Sequence, residues 1–399
     1  MPDQVVLAYS GGLDTTVAVR WLIENLSVDV VAVVVDVGQG GDIAGITDRA
    51  LASGAIEAFV IDASDEFAKE FVSRALATNA RYQGKYPLVS ALSRPLIVRH
   101  LARVAREKGA RYIAHGCTGK GNDQVRFEVG LAALAPEVEV LAPVREWGLS
   151  RDESIAYGLE RGLPAPVGPA SPYSIDENMW GRAIECGVLE DPMTEPPEDI
   201  WALTRPIASA PREPSYAEVE FHKGTPLVVD GAELPLAGVV EKIGSLAGRY
   251  GFGRMDMIED RVVGIKSREV YEAPAALALI AAHSDLEEMT LDREVLRVKR
   301  SLEQKYAELV YEGLWFSPLR EAIDAFVQST EQWVTGTVRL RFDPGSVRVV
   351  GRSSPNSLYD TALASYTKQD SFDHVASAGF VKLWGLPSKI WGMTRNRSS

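Results

Sequence analysis

The stretch from Val5 to Thr16 constrains this chain more than any other. Val5, Val6, Leu7, Ala8 and Tyr9 favour a strand, Ser10-Gly11-Gly12 interrupts it, and Leu13, Asp14, Thr15 and Thr16 open a helical pattern. A strand that empties through glycines into a helix belongs in an open α/β sheet, where ligands bind beyond the carboxyl ends of the strands. Amides freed by Gly11 and Gly12, the Ser10 hydroxyl and the helix N-terminus converge on one point, which suits an anion with several oxygens. A glycine turn serving only close packing would not need the flanking hydroxyls and acid.

Two familiar phosphate motifs are excluded. No Gly-Lys-Ser/Thr follows Gly11, and no second glycine falls at the dinucleotide spacing. Gly119-Lys120 precedes Gly121, and position 114 is Ala114, so no Walker loop lies there either. The first loop instead resembles the Ser-Gly-Gly-x-Asp-Ser/Thr pyrophosphate loop of ATP pyrophosphatases. That resemblance implies a loop that holds the leaving pyrophosphate while a substrate oxygen is adenylylated at the α-phosphorus.

Alternation extends the α/β reading over the first 160 or so residues. Mostly continuous apolar runs at 5–8, 28–35, 55–61, 111–115 and 138–141 predict strands buried on both faces. Helical patterns at 15–25, 43–53, 65–79, 94–108 and 123–134 separate them, and another at 151–161 follows. The expectation is a doubly wound parallel five-stranded sheet. Pro164, Pro166, Pro169 and Pro172 then make a poor helix or central strand and a good interdomain crossing.

The rest reads as a second α+β domain. Strands are expected at 225–229, 262–266, 337–342 and 347–350, the last two paired across Asp343-Pro344-Gly345-Ser346. A helix is expected over 292–311 with Val295, Val298, Leu302, Tyr306 and Leu309 on one face and Gly313 as its stop, and another over 319–330. Phe372, Val375, Ala376, Gly379, Phe380, Leu383 and Trp384 form a helical apolar stripe near the end. Asp370 or Ser371 is the expected cap, Gly385 the stop, with Pro387 beyond. The expected organisation is a nucleotide-binding domain at 1–165, a substrate and multimerisation domain at 166–364, and a C-terminal helical arm at 365–399.

Charge and cysteine content exclude other classes. Lys and Arg total 42 against 55 Asp and Glu, a net charge of −13, which disfavours a role dominated by nucleic-acid phosphates. Cys117 and Cys186 are the two cysteines and form no CxxC, so neither a disulfide framework nor a structural zinc site is expected. A strand by Val5 leaves no room for a signal peptide, and no apolar run approaches the ~18 residues of a membrane span. A cytoplasmic protein without membrane or nucleic-acid partners is expected.

The strand 111–115 empties into a second loop, Gly116-Cys117-Thr118-Gly119-Lys120-Gly121-Asn122-Asp123-Gln124-Val125-Arg126. Three glycines bring backbone close to a ligand, and donors and acceptors of both charges surround them. A phosphate cradle would not need Asp123. A mixed set suits a zwitterion, with Arg forking to a carboxylate and Asp facing an ammonium. An ordinary loop with a helix-capping Asn-Asp is the other reading.

Together the two loops resemble argininosuccinate synthase, a family within the ATP pyrophosphatases. The likeness extends through the runs starting at Tyr86 (Tyr-Pro-Leu-Val-Ser-Ala-Leu-Ser-Arg-Pro), Ala114, Ser171 (Ser-Pro-Tyr-Ser-Ile-Asp-Glu-Asn) and Met289 (Met-Thr-Leu-Asp-Arg-Glu). It implies an adenine nucleotide alpha hydrolase-like first domain and ligation of citrulline to aspartate through a citrullyl-adenylate, giving argininosuccinate, AMP and pyrophosphate in arginine biosynthesis. It places ATP at Ala8, Tyr9, Ser10, Gly11, Gly12, Leu13, Asp14, Thr15 and Thr16, at Val35 and at Gly116. Aspartate falls to Thr118, Asn122 and Asp123; citrulline falls to Tyr86, Asn122, Arg126, Ser174, Glu259 and Tyr271. Ser10, Asp14 and Asp123 are the implied catalytic groups. ATP enters as a substrate with Mg²⁺; no permanently bound cofactor and no resident metal are implied.

Asp14 suits either a contact to that Mg²⁺ or a favourable helix N-terminal charge of about 0.3–1 kcal/mol. Ala183 stands where some relatives carry Ser, and Ala91 lacks a hydroxyl seen elsewhere, with Ser90 beside it. His115 reads as a strand-end packing residue. Family resemblance also implies a homotetramer with exchanged C-terminal arms, whereas the stripe alone does not distinguish docking on a neighbour from folding back. A tRNA thiolase-like pyrophosphatase would need a basic face and a working cysteine pair. A non-catalytic ATP-binding module would have no use for a zwitterion site.

Overall fold

A computed structural model describes residues 2–41, 43–164, 172–367 and 371–395. They divide into two compact units, Met1–Asn356 and Ser357–Ser399. Of the proline-rich crossing, residues 165–171 lie outside the described residues.

Five strands form the first sheet: β1 (Gln4–Ala8), β2 (Asp29–Asp36), β3 (Glu57–Asp62), β4 (Tyr112–Ala114) and β5 (Glu139–Leu141). All neighbours are parallel, in the order β3-β2-β1-β4-β5. Side chains alternate between two cores: Val6, Val31 and Val33 enter one, and Val5, Leu7, Val30, Ala32 and Val34 the other. Burial on both faces is why these strands read as continuous apolar runs. The order runs outward from β1 in both directions, so the topological switch lies between β1 and β4. Both glycine loops leave the sheet at that crevice.

The second half carries β6 (Ser174–Asn178), β7 (Gly181–Glu185), β8 (Ser215–His222), β9 (Thr225–Val229), β10 (Ala232–Glu233), β11 (Arg254–Asp260), β12 (Lys266–Glu272), β13 (Gly336–Asp343) and β14 (Ser346–Ser353). They make two antiparallel sheets, β10-β9-β8-β13-β14 and β11-β12-β7-β6. The β13–β14 pair turns where expected, with Asp343 opposite Ser346. The strand expected at 262–266 is instead the tip joining β11 to β12. Arg261 N donates to Ile265 O and Gly264 N to Arg261 O, both at 2.8 Å. Val262, Val263 and Ile265 are exposed there, so composition gave a strand where only Lys266 enters one.

Asp292 caps the helix Arg293–Tyr311 by accepting from Glu294 N and Val295 N. Its expected stripe is broken at Val298, which is exposed, while the adjacent Lys299 is fully buried. The ammonium is satisfied there by Glu287 at 2.6 Å, Glu303 at 2.8 Å and the Ala77 carbonyl at 2.7 Å. Helices at Leu236–Arg249 and Pro274–Thr290 were not anticipated. Pro274–Thr290 buries apolar residues around most of its circumference, which removes the polar face that marks an amphipathic helix.

In the unit Ser357–Ser399, two helices, His374–Trp384 and Leu386–Arg395, meet at Gly385. Asp373 is the cap, accepting from Ala376 N; Ser371 is not, and Asp370 lies outside the described residues. Gly385 stops the first helix as expected, its N–H donating to Val381 O at 2.9 Å, and a second helix starts directly beyond it. Pro387 sits in the first turn of that helix, where its missing N–H costs nothing. Phe372 precedes the helix. Neither helix has a buried residue, and Val375, Phe380, Leu383, Trp384 and Trp391 are all exposed.

Candidate active site

β1 ends at Ala8, and the helix Leu13–Leu26 begins five residues later. Gly11 takes φ +76°, which reverses the chain at little cost for a residue without Cβ. No side chain caps the helix at Gly12, so its first amides face the crevice with their partial positive charge. Hydroxyls brace the loop: Ser10 Oγ lies 3.2 Å from Thr15 Oγ1, Tyr9 Oη 2.9 Å from Thr16 Oγ1, and Thr15 Oγ1 donates to Gly12 O at 3.3 Å. Ser10 and Asp14 are exposed at the mouth. Val35 lies at the carboxyl end of β2, and its carbonyl accepts from Gln39 Nε2 at 3.2 Å.

The second loop lies directly against the first. A Cβ on Gly116 would stand 2.7 Å from Thr15 Cγ2, so only glycine permits this approach. His115 is fully buried, and its Nδ1 accepts from Cys117 N at 3.2 Å, so the expected packing residue also shapes the loop. Thr118 is exposed at the loop crest. Asn122 occupies the cap position of the helix Asp123–Leu134, yet its side chain makes no cap bond. Its Nδ2 donates to Tyr311 Oη at 2.8 Å and its Oδ1 accepts from Val262 N at 2.9 Å. The capping reading of Asn122 is therefore replaced by one in which the amide ties the loop to the second half. Arg261 at the same hairpin tip adds a bond to Lys120 O at 3.2 Å.

Asp123 and Arg126 face each other. Arg126 Nη1 donates to Asp123 Oδ1 at 2.8 Å, while Arg94 Nη2 donates to Asp123 Oδ2 at 2.7 Å and to Asp176 Oδ2 at 2.8 Å. Burial pushes the Asp123 carboxyl up, but the Arg94 and Arg126 guanidiniums outweigh it and hold the group well below the usual carboxylate range. Asp123 is a fixed anion and a poor proton acceptor.

Tyr86 and Tyr271 stack with ring centroids 4.2 Å apart, and Tyr86 Oη accepts from Ser90 N at 2.9 Å. Tyr271 Oη lies within hydrogen-bond reach of Glu259 and, at 2.6 Å, of Glu269, with one proton to share between them. Glu259 is 1% exposed. That burial and the nearby Glu269 carboxylate push Glu259 up to about 7, against the Tyr271 and Tyr311 hydroxyls and the Arg126 charge. Tyr86, Asn122, Arg126, Glu259 and Tyr271 thus form one linked set. Ser174 stands outside it, exposed on β6 two residues from Asp176 on the same face. Ala91 and Ala183 are buried.

Sequence reasoning missed Arg94, Asp176 and Tyr311 as site groups. The first two lie within runs already singled out, 86–95 and 171–178; nothing local marks Tyr311, the last residue of its helix.

A parallel sheet with an uncapped helix at its switch point, and a buried cluster of both charge signs beside it, fits a nucleotide-using α/β enzyme. Comparison with known proteins narrows the class. A family model described as the arginosuccinate synthase N-terminal HUP domain matches residues 4–164, and one described as the arginosuccinate synthase C-terminal domain matches 173–391. Argininosuccinate synthase of Bacillus licheniformis is 55% identical over 97% of this chain and 96% of its own. Those of Dictyoglomus turgidum and Gloeobacter violaceus are 52% and 53% identical, covering 100% and 98% of this chain and 99% of each relative. The chain belongs to the argininosuccinate synthase family.

Proposed function

We propose that this protein ligates citrulline to aspartate at the expense of ATP, and that the residues described above divide the work. The observation supporting this reading is the close approach of Gly116 to Thr15, which brings the second loop against the first. Ala8 to Thr16, Val35 and Gly116 hold ATP, with the β- and γ-phosphates over the amides of Gly11 and Gly12. Asp14 holds the Mg²⁺ that arrives with ATP; one exposed carboxylate beside phosphate oxygens is a usual magnesium donor set. Held there, the ion would supply neutralisation of charge on the leaving pyrophosphate.

Citrulline's ureido oxygen is a weak nucleophile, so alignment with the α-phosphorus and exclusion of water supply much of the rate. Glu259, with Tyr271 and Tyr86, takes the citrulline ammonium end; Arg126, Asn122 and Ser174 take the rest. The ureido oxygen attacks the α-phosphorus and pyrophosphate leaves. Thr118, Asn122 and Asp123 orient aspartate, whose amine, its ammonium proton lost to water, attacks the activated ureido carbon; the C–N bond forms as the C–O bond to AMP breaks. Asp123 orients without accepting the proton, as its low pKa requires.

Pyrophosphate release from MgATP, with citrulline and aspartate supplied singly and together, tests the reading. AMP and argininosuccinate should accumulate only with all three substrates. Turnover with tRNA replacing both amino acids would favour the thiolase-like alternative, and ATP binding without turnover the non-catalytic one.

A cytoplasmic homotetramer belongs to the same proposal. No helix among the described residues is long and apolar enough to cross a membrane, and Cys117 and Cys186 are free thiols. The exposed aromatics at the chain end support assembly: burying each such side chain contributes roughly 1.5–3 kcal/mol. Ending the chain after Ser365 should lower the mass seen by light scattering while ATP binding persists. A truncated protein of unchanged oligomeric state would show that the arm does not hold subunits together.

A further inference from the structure

We propose that Tyr311 is a positioning residue for this reaction, its hydroxyl fixing Glu259 and Asn122 in one geometry for citrulline. This rests on the substrate reading above and adds to it a residue from an element that reading leaves out.

Tyr311 closes the helix Arg293–Tyr311 and is 1% exposed. Its hydroxyl donates to Glu259 Oε2 at 2.6 Å and accepts from Asn122 Nδ2 at 2.8 Å. A phenol has one proton, and an ionised carboxylate only accepts, so the proton goes to Glu259 and Asn122 must be the donor. Val262 N, which can only donate, holds Asn122 Oδ1 and fixes the same amide orientation from the other side. Tyr271 engages Glu259 Oε1 while Tyr311 engages Oε2, so each carboxylate oxygen has one lone-pair direction assigned and presents the rest in a defined plane.

The ring is held as firmly as the hydroxyl. It stacks on Tyr82 with centroids 3.6 Å apart and planes 5° from parallel, and the Arg126 guanidinium lies 4.9 Å above it. Arg126 Nε also donates to the Tyr311 carbonyl at 2.9 Å. One residue therefore meets three of the groups assigned to citrulline, and links the second glycine loop to β11.

The test reads pH dependence. Glu259 must be ionised to hold an ammonium, so kcat/KM for citrulline should fall as pH drops through about 7. The charged and titratable groups facing Glu259 are Glu269 and Tyr271 from β12, Arg126 from the helix Asp123–Leu134, Tyr311, and Tyr82 and Tyr86 from the turn before the helix Val89–Lys108. Tyr311→Phe keeps the ring and deletes the donor, which raises the Glu259 pKa and moves the acid limb upward by about one pH unit. The loss in kcat/KM for citrulline should reach about tenfold near pH 6 and narrow as pH rises, with the ATP dissociation constant unchanged. Tyr306→Phe, a buried hydroxyl deleted from the same helix, should leave the limb in place. An unshifted limb in Tyr311→Phe, or a loss equal at every pH, overturns the positioning role while the substrate assignment stands. Absence of citrulline-dependent turnover in the parent protein overturns the substrate assignment and this role with it.

Discussion

Asp123→Asn is expected to remove ligation almost completely, by roughly 10²–10³-fold in kcat/KM for aspartate, while ATP still binds. Two guanidiniums, Arg94 and Arg126, share this one carboxylate at 2.7 and 2.8 Å, with their side chains 13% and 6% exposed. Removing the shared anion leaves Arg126 without its carboxylate and Arg94 with Asp176 alone, and breaking a buried pair in this way costs about 3–5 kcal/mol. In the proposed reaction the same change also removes the group that orients aspartate. Stability from chemical denaturation and steady-state kinetics separate the two effects. A variant with an unchanged KM for aspartate and only lower stability would show that Asp123 serves the fold alone.

Glu259→Gln should cost citrulline binding about 2–5 kcal/mol, roughly 30- to several-thousand-fold, because an ammonium loses its buried counter-charge. Stability should move the other way. The folded pKa of Glu259 is raised to about 7, above its unfolded value, so its contribution to stability is present below the unfolded pKa and lost as pH rises through about 7. Above that pH the parent carries a buried anion that the amide lacks, and Glu259→Gln should be at least as stable there. Thermal unfolding at about pH 8, beside a citrulline titration, checks both halves. Equal loss of stability and activity would argue that the carboxylate is structural.

The first domain was legible because its signals are local. Strands buried on both faces read as apolar runs, and the glycine loops announce the strand-to-helix turns within a dozen residues. The second half was harder. The apolar tip Val262-Val263 imitated a strand, Lys299 hid in the core behind three carbonyl and carboxylate oxygens, and the helix Pro274–Thr290 lacks the polar face that would have revealed it. Asn122 read from the sequence as a helix cap or a ligand group; its bonds to Tyr311 and Val262, 189 and 140 positions away, replace the cap with a tie to the second half.

By itself, the sequence determined the parallel sheet and the two glycine loops that leave its switch point, since periodicity and turn chemistry act between near neighbours in the chain. Only the tertiary structure decided which charges meet. Arg94 and Arg126 lock Asp123 as an anion, burial beside Glu269 lifts Glu259, and Tyr311 joins the two halves through one hydroxyl. These effects depend on desolvation and on distances of a few ångströms between distant segments, and packing sets both.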